Sequence, residues 1–253
     1  MEAIENENVP NDYAEVRNLL RQYYSRAARK YGTSFDYNSQ KINEALKNTP
    51  FDDGTEVSVN RNEGIVGDLF ENDILLTLPQ AKVILQEIKS KQKRQAIRAK
   101  EYFWPTTTIF YTFGISDARW QNIIKLGLKH IESKTCMRFK EGIAREGIFF
   151  TRGHGCWSAV GRIGGQQVIS IGYGCDSIGI IIHEVLHALG LWHEQSRTDR
   201  DNFVQIIFRN IYQGTQGNFE KRSVYNTDNM NQPYDLGSIM HYGPKAFTFD
   251  YSR

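Results

Sequence analysis

An α+β fold is predicted for this chain from three observations. Apolar residues recur at helical spacing near the N-terminus, the run 107–113 is β-branched and aromatic, and two histidines four residues apart share one helical face at 183–187. The elements follow in chain order. From Tyr13 to Tyr31, the residues Val16, Leu19, Leu20, Tyr23, Tyr24, Ala27 and Ala28 line one side of a helix that Gly32 ends. A second helix is expected from Leu78 or Pro79 to about Ala99, and the stretch between, with Pro50, Asp52-Asp53-Gly54 and Gly64, reads as loop. Thr107–Phe113 is the first strand. Asp117 caps a helix that runs to about Lys134, with Trp120, Ile123, Ile124, Gly127 and Ile131 on its apolar side. Strands around Gly147–Thr151 and Gln167–Ile171 precede a last helix from about Ser177 to Gly190.

A chain of 253 residues can hold one domain of moderate size and an accessory segment. A net charge of +2 and 24% charged residues point to no nucleic-acid or membrane partner. No apolar run is long enough to span a bilayer. The opening Met1-Glu2-Ala3-Ile4-Glu5-Asn6-Glu7-Asn8 is acidic and lacks the apolar core of a secretory signal.

The chemistry concentrates in His183-Glu184-Val185-Leu186-His187-Ala188-Leu189-Gly190-Leu191-Trp192-His193. On a helix, His183 and His187 project from one face about 6 Å apart along the axis, so both can reach one metal. Glu184 stands beside the first ligand, placed to address a water on the metal without coordinating the metal itself. Gly190 can take the positive φ that ends a helix and returns the chain, bringing His193 in as a third ligand. Three protein ligands leave one position open, the mark of a catalytic zinc site and not a structural one. Downstream, Met240 in Ser238-Ile239-Met240-His241-Tyr242 can form an apolar, polarisable floor beneath the metal. Together these residues argue for a zinc peptidase.

The extended motif resembles that of the astacins, a branch of the metzincin metallopeptidases. The resemblance is carried by His193-Glu194-Gln195-Ser196-Arg197-Thr198-Asp199-Arg200-Asp201 and by Ser238–Tyr242. It is carried as well by Cys156-Trp157-Ser158-Ala159-Val160-Gly161-Arg162 and Gly172-Tyr173-Gly174-Cys175. It covers the chain from about Tyr102 to the end and reaches more weakly into the first hundred residues. It implies a two-lobed catalytic domain, a twisted sheet plus a zinc helix, behind a partly helical prosegment. His183, His187 and His193 would hold one Zn2+ ion, and Glu184 would carry a proton from water to the leaving amine. Tyr242 would be a further zinc ligand at rest and an oxyanion donor in the reaction. The reaction implied is endopeptidase cleavage of protein or peptide substrates without a covalent intermediate.

Other expectations also rest on the resemblance. Cys156 and Cys175 match a disulfide that closes a short loop, worth roughly 3 kcal/mol on the entropic account. Cys136 resembles one half of a second pair whose partner lies near the end of the family's catalytic domain, so the stop at Arg253 reads as a truncation. The family is secreted, which places the protein outside the cell with its leader not written in this chain. The basic run Lys89-Ser90-Lys91-Gln92-Lys93-Arg94 suggests an activating protease cutting after Arg94. Residues 1–94 would then be an inhibitory prosegment, and 95–253 the catalytic domain with Gln95 at its new N-terminus. Phe70-Glu71-Asn72-Asp73 resembles the family's Phe-x-Gly-Asp switch, with Asn72 where glycine is expected, which makes Asp73 the switch and Asp68 its competitor. Asparagine tolerates the left-handed backbone better than most residues. Glu194 would receive the freed N-terminal ammonium, and Gly164–Ser170 would be the edge strand that pairs with substrate. His130, His154 and His241 are not read as ligands. Two other readings stay open on the residues alone: a catalytically silent zinc-binding module, and an unstable truncated product.

Overall fold

Tyr13–Lys30 folds as one helix, α1, because its apolar residues fall on a single stripe: Val16, Leu20, Tyr23, Tyr24, Ala27 and Ala28 are all buried. The computed structural model describes residues 9–32, 36–47, 52–89, 100–223 and 227–251. Three more helices follow in the N-terminal region: α2 (Ser39–Lys47), α3 (Glu56–Glu63) and α4 (Leu78–Lys89). α4 matches the expected second helix at its start, and the expected continuation to Ala99 lies outside the described residues. Helices α2 and α3 correct the expectation of a loop between α1 and α4. α2 buries only Ile42 and Leu46, and α3 buries mostly polar residues, among them Asn60 and Arg61. Neither presents the repeating apolar stripe that identifies a helix in sequence.

The next region is a five-stranded sheet with two helices against it. The elements are β1 (Thr108–Phe113), α5 (Ala118–Lys134), β2 (Arg138–Glu141), β3 (Gly147–Thr151), β4 (Cys156–Ser158), β5 (Gln166–Ile171) and α6 (Ile178–Ala188). Asp117 caps α5 by accepting from the backbone N–H groups of Arg119 and Trp120. The strand order is β2-β1-β3-β5-β4, parallel except for β4, which runs antiparallel to β5 at the edge. Ile109, Ile148, Phe150, Ile169 and Ile171 from the sheet pack against Trp120, Ile124 and Ile131 of α5 and Ile181 and Val185 of α6. β5 is hydrogen-bonded on both sides, so the expected edge strand at Gly164–Ser170 is corrected: the edge strand next to it is β4, Cys156–Ser158, and β2 is the edge strand on the far side. β4 is three residues long, too short to leave a period-2 signal.

The implied disulfide is present, joining Cys156 at the start of β4 to Cys175 ahead of α6, and Cys136 is free and exposed. After α6 the chain is built from 3₁₀ turns and loops. Its Ile211, Phe219, Tyr242 and Phe247 complete a second core with α1, the 65–76 stretch and Trp157. The N-terminal region and the C-terminal loops thus share a core. Among the described residues no helix is long and apolar enough to cross a membrane.

Candidate metal centre

Ser177 opens α6 by accepting a hydrogen bond from the Ile180 N–H, and the helix buries Ile180, Ile181, Val185 and Ala188. His183 and His187 stand one turn apart with their rings 4.7 Å from centroid to centroid. Gly190 has φ 108°, and the turn it makes returns His193 to within 5.3 Å and 4.8 Å of the two rings. All three side chains are buried. His183 Nδ1 lies 2.8 Å from the Ile239 carbonyl and His187 Nδ1 2.8 Å from the Leu191 carbonyl. A carbonyl only accepts, so in both rings Nδ1 carries the proton and the Nε2 lone pair is left for the centre. His193 Nδ1 meets a different partner, Glu71 Oε2, at 2.9 Å.

The three Nε2 atoms surround one carboxylate. Asp73 Oδ2 is 3.2 Å from His183 Nε2 and 3.1 Å from His193 Nε2, and Oδ1 is 3.6 Å from His187 Nε2. These four groups offer ligand atoms within 4.8 Å of one another. The residues fit a tetrahedral zinc ion by an independent sign. His187 Nε2, Asp73 Oδ1 and both Glu184 carboxylate oxygens are buried without a hydrogen-bond partner, which is costly unless a cation answers them.

The electrostatics point the same way. Burial opposes charge on His183, but the Glu56 and Asp73 carboxylates hold its pKa up at about 10. His193 is likewise lowered by burial and raised more strongly by Asp73 and Glu71, to about 9. Burial wins at His187, pushed down to about 4. Burial would raise Asp73, yet the charge on His193 and the hydrogen bonds to His183 and His193 hold it well below the usual carboxylate range. Glu184 is driven well above that range by burial and by the Asp73 charge. Without a cation the Glu56, Asp73 and Glu71 carboxylates favour a second ring proton on His183 and His193, and a bound cation would displace it and free the Nε2 lone pairs.

Asp73 is aimed by its backbone. Phe70 N–H donates to the Ile74 carbonyl at 3.0 Å and Ile74 N–H to the Phe70 carbonyl at 2.9 Å, closing a tight turn. Glu71 and Asn72 inside it have φ of 45° and 80°, in the left-handed region. The Asn72 amide is buried with neither end hydrogen-bonded. Ser158 N–H donates to the Asp73 carbonyl at 3.0 Å and Leu75 N–H to the Ser158 carbonyl at 2.9 Å, so the segment runs parallel to the free edge of β4. Asn60 of α3 ties both pieces together, bonding the carbonyls of Asn72 at 3.1 Å and Cys156 at 2.7 Å.

A model of the Astacin peptidase family matches residues 96–252 of this sequence. The chain belongs to the astacin family. Zinc metalloproteinase nas-37 of Caenorhabditis elegans is 51% identical over 248 residues, which is 97% of this chain and 32% of that protein. Zinc metalloproteinase nas-30 of the same organism is 46% identical over 208 residues, covering 79% of this chain and 28% of that protein. The chain therefore spans about a third of the length of these relatives. Among solved structures, High choriolytic enzyme 1, a hatching enzyme zinc-protease from Oryzias latipes, aligns with TM-score 0.58 at 39% identity, covering 61% of this chain and 80% of that one. The astacin cofactor is one zinc ion, which suits the donor set found here.

The other expected site residues are placed as follows. Tyr242 packs its ring 4.8 Å from that of His193, but its hydroxyl donates to the Glu71 carbonyl and not toward the histidine nitrogens. Met240 is buried, and its carbonyl accepts from Glu194 N–H at 2.8 Å. Glu194 Oε1 accepts from Arg197 at 3.0 Å and from Asp235 N–H at 2.9 Å. Asp68 sits apart from the centre, accepting from Arg17 at 2.9 Å and Asn43 at 3.0 Å. His130 is exposed on α5, His154 faces Glu63 at 3.4 Å, and His241 pairs with the Tyr234 hydroxyl at 2.7 Å. The residue missed in sequence is Glu71. Its carboxylate, fully buried, meets His193, Ser196 Oγ at 2.9 Å and Arg222 at 3.2 Å. Only its place beside Asp73 in Phe70-Glu71-Asn72-Asp73 could have drawn notice.

Proposed function

We propose that this chain is the latent form of an extracellular zinc endopeptidase, with residues 1–94 as inhibitory prosegment and 95–253 as catalytic domain. The observation that carries the reading is the convergence of three imidazole Nε2 atoms on Asp73, a carboxylate from outside the region that matches the family. His183, His187 and His193 would hold the zinc, with Asp73 in the position that substrate and water need. Zinc bound there supplies Lewis acidity, polarising a carbonyl and acidifying water. Glu184, buried and adjacent, takes the proton of the attacking water and passes it to the departing amine. Tyr242, once the Glu71 carbonyl leaves, has a free hydroxyl to donate to the oxyanion of the tetrahedral intermediate. Residues 73 and 75 use both backbone groups of Ser158, so no peptide can pair with that part of β4 while they are in place. The disulfide suits an oxidising, extracellular setting.

Activation would begin with a protease acting after Arg94. The test is peptide hydrolysis before and after limited trypsin treatment, for the parent and for Glu184→Gln, with a chelator control. The expected result is activity only in the cut, metal-loaded parent, with Glu184→Gln lower by about 10²–10⁴-fold while retaining its metal. A Glu184→Gln protein as active as the parent would remove the proposed mechanism.

A further inference from the structure

A second set of contacts joins the N-terminal region to the catalytic region away from the zinc ligands. On α1, Tyr24 is buried, and its hydroxyl donates to Asn218 Oδ1 at 2.7 Å while accepting from Glu71 N–H at 2.9 Å. Tyr23 donates to the Gly217 carbonyl at 3.1 Å, accepts from Arg222 at 3.1 Å, and packs edge-on to Phe70 at 5.3 Å. At the end of α1, Tyr31 stacks on Phe208 at 3.8 Å between centroids and Lys30 pairs with Glu220 at 2.8 Å. The seat is shaped for these rings: a Cβ on Gly217 would come within 2.4 Å and 2.7 Å of two Tyr24 ring carbons and 3.1 Å of Tyr23. Glycine is needed there for the helix to come this close.

We infer that Phe208 and Gly217–Arg222 form a second docking surface, whose occupant is helix α1, and that it keeps the prosegment bound after the chain between them is cut. The inference rests on the latency reading above and specifies how latency ends. None of the contacts just named runs through residues 90–99, so a cut there removes the tether and leaves every one of them in place. What the cut changes is effective concentration: an intramolecular contact becomes a dissociable one. Because the Tyr24 hydroxyl touches both Asn218 and the backbone of Glu71, α1 and the switch turn dissociate as one unit. Proteolysis alone then yields a non-covalent complex, and activity follows dilution.

The test uses the full chain, cut by limited trypsin at the basic run, the product being checked by mass. Size-exclusion chromatography and peptide hydrolysis are then followed over a dilution series. The expected result is co-elution of the two fragments at about 1 µM with specific activity rising on dilution. Gly217→Ala should shift the midpoint of that rise to about hundredfold higher concentration. Lys30→Glu, an exposed change that leaves folding intact, should shift it several-fold at low salt and by less at high salt, because added salt screens the new repulsion from Glu220. Fragments that separate at once with full activity at 1 µM would overturn the inference. So would a midpoint that neither variant moves, since the switch turn alone would then be the anchor. An uncut chain that already hydrolyses peptide would sink the latency reading, while co-elution would still decide whether α1 docks.

Discussion

Helix α6 and the 70–74 turn face each other across the metal centre and present their groups by opposite means. α6 supplies His183 and His187 from regular backbone, with its own ladder, its own cap and a carbonyl on each Nδ1. The turn supplies Asp73 and Glu71 from backbone held left-handed at two successive residues, and almost every bond that fixes it comes from elsewhere: Asn60, Ser158, Tyr24 and Tyr242. One side is fixed by its local chain, and the other, beyond its two Phe70–Ile74 backbone bonds, is fixed by residues outside the turn. If the turn is inhibitory, as proposed, the asymmetry would let it leave without disturbing the half that carries His183 and His187.

The asymmetry can be broken most sharply at Asp73. Asp73→Ala in the uncut chain should raise peptide hydrolysis at least about tenfold over the uncut parent, an effect of about 1.4 kcal/mol or more on access to the centre. A variant as silent as its parent would mean that the rest of the turn blocks the cleft unaided.

Metal removal should come next. Chelation of the uncut parent is expected to lower its Tm by about 10 °C or more, because the ion binds the folded state alone. The metal-free protein should also acquire a pH dependence. The folded pKa values of His183 and His193, about 10 and about 9, lie above the ordinary 6.5, so their contribution is fully present below pH 6.5 and is lost as pH rises through 9 to 10. Thermal melts from pH 6 to pH 10, with and without chelator, check this; parallel curves would argue against the arrangement of protons inferred for the centre.

Asn72→Gly sharpens the comparison from the other side. It removes a buried amide with no partner and puts the residue best suited to φ 80° in the turn, against a greater loss of backbone entropy on folding. The expected net is a gain of about 1 kcal/mol, seen as a Tm increase of roughly 2–4 °C in the uncut chain. A loss of stability would show that the amide has a partner in solution. The smallest effect belongs to Lys30→Ala. The exposed Lys30–Glu220 pair should contribute no more than about 0.5 kcal/mol, detectable in chemical denaturation only at low salt.

How much was legible in the sequence follows the same division. α1, β1, α5, β3, β5 and α6 are regular elements with strong periodicity, and the three histidines announce themselves by offsets along one chain segment. β2 and β4 are too short to show a period, and α2 and α3 pack polar residues inward. Glu71, Arg222 and Ser196 meet only because distant segments do, and the Ile239 carbonyl behind His183 has no sequence mark whatever. Asp73 was nameable through a motif, but what aims it, the Asn60 amide and the edge of β4, was not.

The parallel pairing of residues 73–75 with Ser158 has one more consequence. β4 is one of the two edge strands of the sheet, and an edge is a template on which any extended chain, including another copy of the same protein, can add a strand. While the 70–74 turn and its flanks cover that margin, crowded molecules have nothing there to polymerise on. The segment that covers the centre therefore also covers a strand-pairing edge, and a chain without it would present that edge to other copies.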